Sequence, residues 1–340
     1  MTRMFRFAAA LLATFIAVAP LALAQNYKPE YKLSTVLPTS YPWGKAGERW
    51  AELVKEKTQG RINIKMYPGT SLVGGDQTKE FSAIRQGIID LAIGSTINWS
   101  PQVRQLNLFS LPFLMPDYKA IDALTKGEVG RQVFQILDKA GVVPLAWGEN
   151  GFRQLSNSKG AIATPADMKG KKFRVVGSPI FIDTFTALGA NPTQMSFADA
   201  QPALSTGAVD GQENPLSVFT AAKMWTLNQK FLTLWGYTAD PLVFAVNREV
   251  WESWTPADRD AVRQAAVQAG AENVVAARKG IAGSDNEVLK QIEAQGVTVT
   301  HLTPAQIKAF QAASKPVYDK WAEQIGRDLV KAAEASIAKR

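Results

Sequence analysis

The chain has 340 residues, 46% of them hydrophobic and 20% charged, with one histidine, no cysteine and a formal net charge of +8. That is globular composition, long enough for one large domain or two moderate ones. The lack of cysteine excludes thiolate nucleophiles, Fe–S clusters and disulfide scaffolds, and a lone His301 excludes multi-histidine metal centres.

Residues 1–24 begin with Arg3 and Arg6, continue through an apolar stretch over about 7–18, and end in Ala22-Leu23-Ala24. This is the pattern of a secretory signal peptide, with cleavage expected after Ala24 and export to the periplasm. The apolar run is too short to span a bilayer, and Pro20 interrupts it. The mature chain, 25–340, has 316 residues and a charge of +6 once Arg3 and Arg6 are lost from +8. Its basic residues are dispersed, the densest cluster being 169–174. No nucleic-acid partner is expected, and a modest positive field suits small anions.

A strand is predicted over 31–37. Apolar residues at 43, 46, 50, 53 and 54 predict a helix over 43–57 that ends at Gly60. Strand 61–67, helix 77–86 and strand 89–93 follow, then helix 130–140 and strand 142–147. After Asn150 the pattern restarts with strand 172–176, helices 181–188 and 197–204, and a strand near 208–211. Such alternation indicates α/β layers with mostly parallel strands, here in two lobes. Thr164, Thr255 and Thr303 each precede Pro and stand three residues before an acceptor side chain, the signature of a capped helix start. The last two place helices over about 256–293, interrupted near Gly283-Ser284, and about 304–337.

Enzyme chemistry finds little support. His301 precedes a helix cap, no G-x-S-x-G elbow exists, and no phosphate-loop or dinucleotide fingerprint appears. No pair among the 30 acidic residues stands out as a glycosidase pair. No metal or cofactor is expected. Three features suit anion binding instead. Arg174 lies inside the apolar run Phe173-Arg174-Val175-Val176, where it needs either an internal salt bridge or an anionic ligand. Arg153 stands in the predicted loop 150–154. In 209–215 a strand ends in a dense polar turn, with Asn214 forced from helical geometry by Pro215. Ligands of open α/β sheets bind beyond the carboxyl ends of strands.

At these positions the chain resembles the solute-binding receptors of tripartite ATP-independent periplasmic (TRAP) transporters, of the dicarboxylate-receptor type. The likeness covers nearly the whole mature chain: Glu56-Lys57-Thr58-Gln59-Gly60-Arg61-Ile62, the Leu72, Gly87 and Asp90 framework, Asn150-Gly151-Phe152-Arg153-Gln154, Ala166-Asp167-Met168-Lys169-Gly170 with Arg174-Val175, Ala187-Leu188-Gly189-Ala190, and Val209-Asp210-Gly211-Gln212-Glu213-Asn214-Pro215-Leu216. The resemblance implies an α/β clamshell with crossing strands and a long helix spanning both lobes. Lobe I would comprise 25–150 plus about 240–280 and lobe II 151–239 plus about 281–325, with 326–340 the end of the C-terminal helix. It implies that Arg174 grips the ligand carboxylate with a planar fork that Lys cannot reproduce. Asn214 would donate to the same carboxylate, Arg153 would be a second pocket arginine and Phe197 a lining aromatic. Members that bind sialic acids carry acidic residues where this chain has Gln77 and Ser95, so sialic acid is not the expected ligand. Pro202 is expected to kink the helix after Phe197.

Trp43, Gln77, Asn98, Trp99, Tyr237 and Asp240 are the remaining candidate pocket residues. Aromatic faces beside amides suit a sugar acid such as a uronate or aldonate. A C4-dicarboxylate, with Arg153 taking the second carboxylate, is the alternative. A monomer that hands its ligand to TRAP membrane subunits is expected; a ligand-binding module for a sensor kinase and an exported uronate-processing enzyme are competing readings.

Overall fold

The computed structural model describes residues 27–340, so the expected signal segment and its cleavage site lie outside the described residues. Its strands are β1 (Tyr31–Thr35), β2 (Ile64–Tyr67), β3 (Leu91–Ser95), β4 (Val142–Asn157), β5 (Lys172–Val175), β6 (Asn191–Gln194), β7 (Gly211–Pro215), β8 (Phe231–Leu234), β9 (Ala239–Asn247) and β10 (Thr298–His301). They join in one sheet of order β2-β1-β3-β9-β4-β7-β5-β6, with β8 on β4 and β10 on β8. The outer strands of each half are parallel, β2-β1-β3 on one side and β7-β5-β6 on the other. Between them β4 and β9 run antiparallel to their neighbours and carry the chain across both halves.

Local chemistry explains the helices. The Pro42–Lys57 helix buries Trp43, Ala46, Trp50, Leu53 and Val54, the five positions of the predicted apolar stripe. Trp50 sets its edge against Phe244 of β9 at 5.2 Å. Thr255 and Thr303 accept hydrogen bonds from the backbone N–H of Asp258 and Gln306, as a capped start requires. Thr164 and Asp167 form a capping box on a single turn, Pro165–Met168. The Pro304–Ile325 helix lies across the seam, where Lys320 and Trp321 share a crevice with Arg104 and Asn107 from one half and Pro179 and Asp183 from the other. Its Trp321 donates to Asp183 at 2.7 Å.

Four expectations are corrected. The strand predicted to stop at 147 continues to Asn157: Gly148-Glu149-Asn150-Gly151 has loop composition, yet it lies inside β4 with an irregularity between Glu149 and Gly151. Glu149 is tolerated there because Arg278, at the end of the Pro256–Arg278 helix, donates to both its carboxylate oxygens. Arg153 is therefore a buried strand residue and not a solvated loop arginine. Likewise 212–215 is not a turn; it is β7, buried along its length and paired with β4 and β5. Finally, the C-terminal helices break earlier than predicted at one point and more often at another. The first ends at Arg278 before the Glu287–Glu293 segment, and the second splits at Gly326, whose φ of +110° no helix accommodates.

Candidate functional site

The two halves meet around a small cavity. Eight of the ten candidate side chains line it: Arg174, Asn214, Arg153, Phe197, Gln77, Asn98, Trp43 and Asp240. The other two do not. Trp99 is fully buried beside Phe81, its indole N–H donating to Glu80 at 3.0 Å; a helical residue facing the core was mistaken for one facing the ligand. Tyr237 packs at a tilt against Trp235, with ring centroids 4.1 Å apart, and donates its hydroxyl to Glu213 at 3.3 Å, behind the cavity wall.

Arg174 projects from the middle of β5, whose alternate residues Phe173 and Val175 enter the core on the opposite face. Its Nε donates to the carbonyl of Met195 at 3.1 Å, whereas Nη1 and Nη2, both buried, have no protein partner. Burial, offset in part by Glu213, pushes its guanidinium down to about 10, so it remains charged at neutral pH. An orphaned guanidinium edge in a closed cavity is a strong demand for a carboxylate, which would accept both N–H groups side by side.

Arg153 is the opposite case. It grips the Glu213 carboxylate through Nε and Nη2, donates to the Glu213 carbonyl at 2.8 Å and to Asn214 Oδ1 at 3.1 Å, and places Nη1 3.6 Å from Asp240. Burial alone would favour its neutral form, but Glu213 and Asp240 hold it above its ordinary value. Asp240 accepts from Ser95 Oγ at 2.5 Å and from Asn150 Nδ2 at 2.9 Å. Burial raises its carboxyl against the opposing pull of Arg153. This cluster is satisfied within the protein.

The remaining lining residues also pair with one another. Gln77 donates to Asn98 at 2.8 Å and accepts from the backbone N–H of Phe197 at 3.2 Å, tying the two halves together. Asn214 donates to Gln212. The Trp43 indole donates to the Ile93 carbonyl at 2.8 Å, so it offers the cavity only its apolar face. Phe197 lines the cavity despite Pro202 within its helix, and meets Tyr41 edge-on at 6.4 Å. The sequence reading missed Val36, Leu37, Asn150, Val176 and Val218 as lining residues. Only Asn150 carried a signal, as an amide adjoining a buried strand. A wider crevice lies at the mouth, between 74–78 and 194–199, with Gly177 on its wall. His301 is exposed at the end of β10, away from the cavity. Among the described residues no group of acidic or histidine side chains is placed to hold a metal, and no helix is long and apolar enough to cross a membrane.

Comparison with known proteins agrees with this geometry. Residues 33–324 match the DctP family, bacterial extracellular solute-binding protein, family 7. A crystal structure of a TRAP periplasmic solute-binding protein from Ralstonia eutropha H16, with bound (S)-2-hydroxy-2-methyl-3-oxobutanoate ((S)-2-acetolactate), is 69% identical. It superposes with a TM-score of 0.92, covering 92% of this chain and all of that one. The 2,3-diketo-L-gulonate-binding periplasmic protein YiaO of Escherichia coli is 32% identical over 85% of this chain and 86% of its own. The C4-dicarboxylate-binding periplasmic protein DctP of Rhodobacter capsulatus is 32% identical over 90% of each. The chain is thus a two-lobe receptor and not an enzyme, and it belongs to the family 7 (DctP) extracellular solute-binding proteins that serve TRAP transporters.

Proposed function

We propose that this protein captures a small organic acid anion in the periplasm, after cleavage behind Ala24, and passes it to the membrane subunits of a TRAP transporter. The observation that carries the reading is Arg174: a buried cation in the cavity wall whose Nη1 and Nη2 lack any protein partner. Asn214 adds a donor beside it, since its amide has a second N–H beyond the one given to Gln212. Ligand contacts reaching both lobes would draw the seam shut, shifting an open–closed equilibrium.

The favoured ligand is a short acid with a hydroxyl or oxo group next to the carboxylate. The cavity is small. Gln77, Asn98 and Asp240 are engaged with protein partners, which leaves few groups to read many hydroxyls. The 69%-identical relative carries acetolactate, an acid of this class. A sugar acid is the second reading, favoured by the similarity to the diketogulonate-binding protein and by the amide pair Gln77–Asn98 facing the cavity.

Titration calorimetry with a panel of short 2-hydroxy and 2-oxo acids, uronates, aldonates and C4-dicarboxylates tests both readings. One acid class should bind tightly, and Arg174→Lys should weaken it tenfold or more, because a point charge replaces a two-bond fork. Unchanged affinity in that variant would sink the clamp.

A further inference from the structure

We propose that Asp240 is a specificity-determining residue that makes this receptor selective for monocarboxylates and rejects dicarboxylates of the same shape. The inference rests on the reading of Arg174 as the carboxylate site and adds what happens at the other side of the same cavity.

The argument is an inventory of charge. The ionisable side chains in the cavity wall are Arg153, Arg174 and Asp240, with Glu213 fully buried behind them. Arg153 is engaged at all its edges: Glu213 takes Nε and Nη2, Asn214 Oδ1 takes a further contact, and Asp240 stands opposite Nη1. Two carboxylates face that one guanidinium, so the group already has an excess of negative charge. Arg174 is the one cation of the wall with no carboxylate in salt-bridge distance. The wall therefore accommodates one anionic group. The cavity is small and Asp240 lines it together with Arg174, so a second carboxylate on a ligand held at Arg174 falls within unscreened range of Asp240. Neutral amide N–H groups remain on Asn98 and Asn150, but the wall holds no second unpaired cation to offset the repulsion. Burying an unpaired charge of the wrong sign is costly, and this is how sites reject near-isosteres. On this proposal Arg153 does not take a second carboxylate.

A matched ligand set tests this. 2-Hydroxy-2-methylbutanoate and 2-hydroxy-2-methylbutanedioate share one carbon skeleton and differ in a methyl replaced by a carboxylate; the 4-amide of the diacid keeps its shape without the charge. Calorimetry on the mature protein at pH 8 should give the monoacid at least 100-fold tighter binding than the diacid, with the amide recovering at least tenfold of that gap. Asp240→Asn should narrow the monoacid-to-diacid ratio at least tenfold, and the amide measurement on the unaltered protein stands even where that variant does not fold. Equal affinity for monoacid and diacid overturns the proposal and leaves the Arg174 clamp intact. An amide as weak as the diacid overturns it too, because shape and not charge is then being read. Absence of binding by every carboxylate tested overturns the clamp, and this inference with it.

Discussion

Closure of the cavity depends on one missing methyl group, and restoring it is a direct test of how ligand binding is gated. Gly177 follows β5 on one wall of the mouth, and Thr78 belongs to the Gln77–Lys79 turn on the other. A Cβ on Gly177 would lie 2.2 Å from Thr78 Cγ2, with Gln194 Nε2 next at 3.1 Å. Ordinary contact begins near 3.4 Å, so Gly177→Ala must part the walls by about an ångström. Its backbone is outside the left-handed region, so the cost falls on the seam and not on the fold. Overpacking of this size costs about 1–3 kcal/mol. Charged wholly to the closed state, that weakens ligand affinity by about 5- to 150-fold. Thr78→Ser removes Cγ2 and leaves Cβ at 3.7 Å. It also keeps the hydroxyl that donates to Asp76. The double variant should therefore recover most of the loss. Calorimetry on the four proteins, with thermal melts of the ligand-free forms, completes the cycle. The reasoning fails if Gly177→Ala binds normally, or if Thr78→Ser does not rescue it.

Further outcomes follow from the buried charges. Arg174→Met should abolish carboxylate binding yet raise ligand-free stability by up to about 3 kcal/mol, since an unpartnered charge leaves the interior; denaturant titration reads the second effect. Glu80 is buried, accepts from Ser34 Oγ and Trp99 Nε1, and burial raises its carboxyl to about 7. Between its unfolded value of 4.5 and about 7, the folded state holds more protons than the unfolded one. Stability from this group is therefore lost as pH rises through that window, by about 3 kcal/mol in all. Melting curves from pH 4.5 to 8 should show Glu80→Gln flattening that decline relative to the parent protein, and parallel curves would refute it. Glu149→Ala should cost about 3 kcal/mol in denaturant unfolding by stranding Arg278 at the end of its helix, although Asp122, at 2.8 Å, retains part of the interaction.

Much of the fold was legible because it depends on local rules. The stripe of the Pro42–Lys57 helix, the Thr-Pro starts and the alternation of strands and helices each need only a few neighbouring residues. What failed was long-range. Nothing within Gly148-Glu149-Asn150-Gly151 says that Arg278, more than a hundred residues away, will neutralise Glu149 and allow β4 to continue. Gly148 itself has no room for a side chain, a Cβ there lying 2.6 Å from Asn273 Oδ1. A glycine that reads as a loop breaker is in this case a close-packing site. The same reversal occurs at β7, where Gln212-Glu213-Asn214 looks like a surface turn and is buried because β4 and β5 pair with both its edges.

The site shows where residue type stops being informative. Arg153 and Arg174 are both buried arginines in strands, and composition gives no ground for assigning them different work. Their partners do. Glu213 and Asp240 consume Arg153 and convert it into a fixed beam of the wall, while Arg174 spends its Nε–H on a backbone carbonyl and leaves both terminal nitrogens, with four N–H groups, unused. An arginine that is satisfied holds its neighbours rigid, and Asn214 owes its position to it. An arginine that is unsatisfied carries a free energy that only an anion can relieve, which is how a receptor prepares affinity before its ligand arrives. Tyr237 belongs to the first group, since its hydroxyl supports Glu213 and thereby Arg153, and the sequence reading mistook that support for contact. Substituting Tyr237→Phe should therefore weaken ligand binding only modestly, well below the effect of Arg174→Lys. A loss as large as that of the clamp variant would mean that the Arg153–Glu213 pair does more than hold the wall in place.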